Sequence, residues 1–125
     1  LAGRVERASW SNPHVELVLA CDDPLRLPAD LAQRAVPAQR AAVDAPRVLA
    51  RAVVPTRADR TWEIELAPLF RMQSWGVEPI TAGARIEVVG YTFPEERGEA
   101  ILRAEYLFVQ GRGEDSALLH GVDDV

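Results

Sequence analysis

The stretch TWEIELAPLFRMQSWGVEPITAGARIEVVG, residues 61–90, decides the fold. Its first six residues alternate: Trp62, Ile64 and Leu66 share one face and glutamates occupy the other, as in a half-buried strand. The segment APLFRMQSWG that follows predicts a helix of about two turns that stops at Gly76. ARIEVVG then resumes the alternation of a strand. The stretch therefore predicts a strand, a short helix and a second strand.

Strand patterns on both sides complete a small β-domain. Arg4–Trp10 and Val15–Cys21 are interpreted as two halves of one long first strand, bent at the Asn-Pro dipeptide between them. Arg47–Val54 predicts another strand, and AILRAEYLFVQG, residues 100–111, predicts the last. Five or six strands with one short helix indicate a mainly β fold, a small Greek-key barrel of the oligonucleotide/oligosaccharide-binding (OB) type. The alternative is a β-sandwich, which normally lacks a helix between TWEIEL and ARIEVVG.

The length of 125 residues predicts one OB-like domain over residues 1–125. Residues 22–46, rich in Pro, Ala and Arg, are interpreted as an insert between barrel strands. Within this insert, Pro28 is expected to open a short helix over Ala29–Ala35. The polar and acidic tail, residues 112–125, is expected to be flexible.

Charge separates the insert from the rest of the chain. The net charge is −5 and all 14 basic residues are arginine, which argues against general nucleic-acid binding. Asp23–Arg60 holds seven Arg and four Asp, whereas Thr61–Val125 holds five Arg and twelve acidic residues. The basic insert predicts either a solvated surface or a docking surface. Its arginines in that second role are Arg26, Arg34, Arg40 and Arg47.

Apolar runs in the chain are short. No stretch approaches the roughly 20 apolar residues that a membrane-spanning helix needs, so we predict no transmembrane span.

Several short motifs resemble, in order and spacing, an uncharacterised family of small exported bacterial proteins. They are GRV (3–5), WSNPH (10–14), TWEIEL (61–66), LFRMQSWGV (69–77), ITAGARIEVVGY (80–91) and ILRAEYLFVQG (101–111). The resemblance implies an OB-like fold, a periplasmic or secreted location and no established catalytic activity. The chain departs from the family by carrying the insert in place of a short turn, and by Ala-Gly-Ala-Arg in place of Pro-Gly-Asp. The chain is thus expected to be an accessory subunit that binds a protein partner in a periplasmic or membrane-associated complex.

Aromatic and imidazole side chains are the candidate binding groups. Trp10, Asn12, His14, Trp62 and Trp75 are predicted to contact a ligand or partner. His14 also has a structural alternative, because after Asn-Pro it can bond a turn carbonyl and fix the start of a strand.

The alternative function is a periplasmic protein that binds copper or a small ligand. His14 and Met72, with nearby tryptophans, offer the imidazole, thioether and indole groups that suit Cu(I). Met72 is equally typical of a core residue. The leading hypothesis needs no cofactor.

Catalysis finds little support in the sequence, so we predict that the chain is not an enzyme. Cys21 ends an apolar strand and is expected to be a small buried residue. No nucleophile elbow or Cys-His signature is present. We therefore predict no catalytic residues.

Overall fold

The computed structural model describes residues 1–34 and 45–110 of the chain, and five strands within them close into a barrel. The strands are β1 (Ala2–Ser9), β2 (Glu16–Cys21), β3 (Thr61–Glu65), β4 (Arg85–Tyr91) and β5 (Ile101–Val109). They neighbour one another in the order β1-β2-β3-β5-β4, and β4 pairs with β1 to close the barrel. The β3–β5 pair is parallel and the other pairs are antiparallel. The predicted small OB-like barrel is confirmed.

The stretch at residues 61–90 forms the predicted strand, helix and strand. β3 buries Trp62 and Ile64, and the helix α2 (Leu69–Ser74) buries Met72. Gly76 follows this helix with a φ of +70°, a conformation that favours glycine and ends the helical path. The short helix between β3 and β4 is therefore where the sequence predicted it.

The first two strands form a hairpin, and the prediction of one long bent strand is wrong. β1 and β2 pair antiparallel from Gly3 opposite Cys21 to Ser9 opposite Glu16. Residues 10–15 reverse the chain, so the Asn-Pro dipeptide lies in the connection between two strands. Proline cannot donate a ladder hydrogen bond, which suits a connection as well as a bend.

The predicted strand over Arg47–Val54 is also wrong, because the helix α1 (Ala45–Ala50) covers its first half. Pro46 is the second residue of this helix, where a missing backbone N–H costs nothing. Val48, Leu49 and Ala52 pack together on one apolar cluster, as helical spacing allows and strand alternation does not. The expected helix over Ala29–Ala35 is reduced to a 3₁₀ turn at Leu31–Gln33.

The barrel interior is the main core. It is filled by alternate residues of all five strands together with side chains from α2 and the loop after it. The most deeply buried of them include Leu17, Leu19, Ile64, Leu66, Met72, Ile80, Ile86 and Leu107.

A second, smaller core lies on the outside of the barrel. Leu31 and Leu49, from the connection between β2 and β3, pack against Tyr106 and Phe108 of β5. Consequently residues 106–109 are all buried, alternately in the two cores. The β2–β3 connection is therefore anchored to the barrel by the apolar contacts of Leu31 and Leu49.

The described helices are short. Within residues 1–34 and 45–110, none has the length and apolar character that crossing a bilayer requires.

Candidate functional site

An apolar groove of about 540 Å³ runs alongside the barrel, between the β2–β3 connection and β4. One wall consists of residues 25–28 and 51–55. The other consists of residues 87–91 of β4 and the turn at residues 92–96. Leu1 and Ala2 lie at the end where β1 begins. The groove therefore follows the seam between the barrel and the segment packed on its outer face.

Exposed apolar side chains are concentrated in this groove. Of the five large hydrophobic side chains exposed in the described residues, Leu27, Val53, Tyr91 and Phe93 line it, and the fifth, Phe70, lies on α2. Val53 is 81% exposed. Isolated apolar residues on a surface are ordinary, whereas several that converge on one concave surface mark a binding site.

Glu96 joins the two walls of the groove. Its carboxylate accepts hydrogen bonds from the N–H of Thr56 (3.0 Å), the hydroxyl of Thr56 (2.9 Å) and the N–H of Arg57 (3.1 Å). The Arg57 guanidinium donates in turn to the Glu96 carbonyl oxygen at 2.6 Å. Hydrogen bonds from the two backbone N–H groups lower the pKa of Glu96 below its ordinary value of 4.5.

The hydrogen bonds from Thr56 and Arg57 to the Glu96 carboxylate are expected to weaken in acid. Since the folded-state pKa of Glu96 is depressed, its stabilisation is complete above the ordinary value and is lost as pH falls below about 4.5. Hydrogen exchange, corrected for intrinsic rates, should show protection of the Thr56 and Arg57 amides decreasing in that window. In Glu96→Gln the protection should be weak at every pH. Glu95→Gln is the control, because Glu95 bonds only Arg97 among the described residues. Equal protection of the Thr56 and Arg57 amides of wild type in acid and at neutral pH would contradict the role assigned to the Glu96 carboxylate.

Arg34, predicted to be part of a docking surface, forms ion pairs within the protein. Its guanidinium bonds the Glu87 carboxylate at 2.7 Å and the Asp30 carboxylate at 3.0 Å. It also lies 4.7 Å above the centre of the Phe108 ring. Arg34 thus fastens the 3₁₀ turn to the outer face of β4 and β5.

The other predicted docking arginines have different positions. Arg26 is exposed and lines the groove. Arg47 lies on α1 and interacts with another residue. Arg40 and the predicted flexible tail, residues 112–125, are outside the described residues. Among the described residues, Arg26 is the single member of the predicted site that lines the groove.

Trp10, Asn12 and His14 lie together in the connection between β1 and β2. Trp10 is half-buried against the main core, Asn12 is exposed and His14 is half-buried beside the buried Val15. The peptide bond before Pro13 is cis. These three predicted residues therefore form one local cluster at one end of the barrel.

Trp62 lies away from that cluster. The Leu66 N–H bonds the Val15 carbonyl at 2.8 Å, which places the end of β3 beside the cluster. Trp62 is four residues earlier on the strand, roughly 13 Å away. Its side chain is 1% exposed and faces the main core, so Trp62 offers no surface to a ligand.

Trp75 and Met72 complete the predicted set. Trp75 follows α2 and is half-buried against the main core, while Met72 is wholly buried inside it. The residues 1–34 and 45–110 hold no cluster of three His, Cys, Asp or Glu side chains arranged for a metal ion. The absence of such a cluster does not test ligation by the Met72 thioether and the His14 imidazole, so copper binding by these two residues stays a prediction.

Cys21 is buried, as the sequence predicted. Burial raises the pKa of its thiol to about 11, which keeps the sulfur protonated and weakly nucleophilic at neutral pH.

The outer face of β2 and β3, where OB folds bind oligonucleotides, is acidic in this chain. Partial burial, a hydrogen bond with Glu16 and the charges of Glu99 and Glu65 together raise the pKa of Glu63. Carboxylates that already repel one another oppose the approach of a phosphate backbone. The apolar groove is therefore the better candidate for a binding site.

Comparison with known proteins gives no relative from which to transfer a function. No protein-family model, curated protein or solved structure matches the chain.

Proposed function

We propose that this protein is a non-catalytic accessory module that binds a partner protein through the apolar groove. The observation that carries the proposal is the convergence of Leu27, Val53, Tyr91 and Phe93 on one concave surface. Partner binding would remove from water the apolar area that the folded chain leaves exposed, and this area is the main source of association free energy.

The construction of the groove supports a preformed site. The second core fixes one wall to β5 through Leu31 and Leu49, and Glu96 ties that wall to the turn after β4. A site whose walls are already ordered loses less conformational entropy when it binds.

The non-catalytic part of the proposal draws on the buried, protonated thiol of Cys21. The serine hydroxyls nearest to His14 in sequence are those of Ser9, the last residue of β1, and Ser11, in the β1–β2 connection; they are exposed and hydrogen-bond each other at 3.0 Å.

The proposed location is the periplasm or the exterior, in a membrane-associated complex, as the family resemblance implies. Fractionation of the native cells tests this part separately: recovery of the protein with cytoplasmic markers would contradict export while leaving groove binding intact.

Val53→Asp tests the groove with little risk to the fold, because Val53 is already exposed. We expect the tagged protein, expressed in its native cells, to retain a partner that Val53→Asp loses. The affinity of the purified pair should fall at least about tenfold in this variant.

Phe70→Asp is the matched control, since Phe70 is 63% exposed but lies on α2, outside the groove. It should retain the partner with affinity close to that of wild type. Retention of the same partner by Val53→Asp, or equal losses in both variants, would contradict the proposal.

A further inference from the structure

The turn between β4 and β5, residues 92–98, holds two strained residues. Glu95 and Glu96 both have a φ of +58°, a left-handed backbone conformation that is unfavourable for a residue with a Cβ. Gly98 has a φ of +76°, which glycine adopts without that penalty. Strain of this kind persists only where surrounding contacts fix the conformation. The contacts of the turn therefore decide whether its two glutamates stay in the left-handed region.

The contacts that fix Glu96 come from the opposite wall of the groove. Its carboxylate accepts hydrogen bonds from the Thr56 N–H, the Thr56 hydroxyl and the Arg57 N–H, and its carbonyl oxygen accepts one from the Arg57 guanidinium. Arg57 is itself positioned by Asp59, whose carboxylate bonds its guanidinium at 2.6 Å. A strained turn is thus fastened across the groove through Glu96.

Phe93 belongs to the same turn and lines the groove. Its ring is 46% exposed and lies against Gly98, where a Cβ would be 3.5 Å from the ring. The Glu96 N–H donates to the Phe93 carbonyl at 2.9 Å, which links the ring to the strained residues. A movement of the turn therefore carries Phe93 with it.

The fastening depends on the charge of the Glu96 carboxylate. The charged groups around it are Arg57, which is paired with Asp59, and the neighbours Glu95 and Arg97, which form an ion pair at 2.7 Å. Hydrogen bonds from backbone N–H groups lower the pKa of Glu96. The charged form is therefore the one that the closed turn favours, and the fastening is lost as pH falls through the lowered pKa.

We propose that the β4–β5 turn is an acid-sensitive latch on the groove. While the Glu96 carboxylate is charged, the latch is closed and Phe93 forms part of the groove wall. When that carboxylate is protonated or removed, Glu95 and Glu96 leave the left-handed conformation, and the turn moves away from Thr56 with Phe93.

The closed latch is the form of the groove that binds. The apparent affinity for a partner then falls in proportion to the closed fraction. This consequence for binding rests on the proposed function, whereas the opening of the turn does not.

Fluorine NMR of the chain labelled with 4-fluorophenylalanine tests the movement. The three phenylalanines are Phe93 in the turn, Phe70 exposed on α2 and Phe108 buried on β5. We expect the Phe93 resonance to shift as pH falls below about 4.5, and in Glu96→Gln to take its acid position at every pH. The Phe70 resonance should not follow, and the Phe108 resonance should stay distinct from that of the chain unfolded in urea.

A pair of substitutions at Glu95 tests the strain. Glu95→Gly and Glu95→Ala both remove the carboxylate that pairs with Arg97, but only glycine relieves the strain at a φ of +58°. The latch of Glu95→Gly should therefore stay closed in more acid than that of Glu95→Ala, with a midpoint lower by about half a pH unit or more. Equal midpoints in the two variants would overturn the strained latch.

The outcomes separate the latch from the proposed function. A Phe93 resonance that stays constant while the Thr56 and Arg57 amides lose protection would mean that hydrogen bonds weaken without movement of the turn, and would overturn the latch alone. Simultaneous change of the Phe93 and Phe108 resonances would make the opening part of global unfolding and would also overturn it. A latch that opens as expected, in a chain whose partner is retained by Val53→Asp, would stand while groove binding fails.

Discussion

Trp62→Ala is expected to lower the free energy of unfolding by about 3–5 kcal/mol. The indole is among the largest wholly buried side chains and packs in the main core. Alanine would leave a cavity there, because the strands of a closed barrel are paired on both sides and cannot shift one at a time to fill it. Domains of this size have a total stability of about 5–15 kcal/mol, so the variant should be marginally folded. Denaturation in urea, followed by circular dichroism, measures the loss.

Trp62→Phe separates this structural role from a role in binding. Within residues 1–34 and 45–110 the buried indole Nε1 has no hydrogen-bond partner, and an unmade hydrogen bond of this kind costs about 1–3 kcal/mol. Phenylalanine removes that cost while it loses some packing, so we expect a net change within about 2 kcal/mol and unchanged groove affinity. Partner affinity that falls in Trp62→Phe while stability is maintained would return Trp62 to the binding site.

The barrel was predictable from the sequence because its strands and its helix leave local signals. TWEIEL alternates cleanly, and Gly76 marks the end of α2 with the backbone conformation that favours glycine. These features depend on neighbours within a few residues, which is the range that periodicity reports.

The hairpin of β1 and β2 was missed for a reason that is also physical. An Asn-Pro pair interrupts a ladder whether the chain bends or reverses, so the dipeptide alone does not distinguish the two. The antiparallel pairing of Gly3 with Cys21 shows that the chain reverses, and this contact joins residues that are far apart in the sequence.

The groove was not predicted from the sequence because its residues come from separate segments. VVP at residues 53–55 and YTF at residues 91–93 each look like an ordinary strand end or turn. One signal was present in YLFV, residues 106–109: four consecutive apolar residues indicate a strand buried on both faces, and hence something packed outside the barrel. The tryptophans were predicted to bind a ligand or partner because of their residue type, and residue type does not distinguish a core side chain from a binding one.

Arg34→Met is expected to lower the free energy of unfolding by about 2 kcal/mol and to weaken partner binding in the groove. Methionine retains an unbranched apolar chain near Phe108 but removes the charge that bonds Asp30 and Glu87. The Glu87 carboxylate would then line the groove without its cation, and an unpaired charge there opposes the burial that partner binding requires. Both effects act at the contact between the 3₁₀ turn and the barrel.

Arg60→Met is the matched control because it breaks another ion pair of the same β2–β3 connection. The Arg60 side chain is 71% exposed and bonds the exposed Asp23, so its loss should change stability by less than about 0.5 kcal/mol. Arg34 is 20% exposed and is held by two carboxylates and a ring, which is why its removal should cost more. Urea denaturation gives the difference, and hydrogen exchange at Gln33, whose N–H bonds the Asp30 carbonyl, locates it. Equal stability of the two variants would mean that the apolar contacts of Leu31 and Leu49 alone hold the connection on the barrel, and that the wall of the groove needs no ionic anchor.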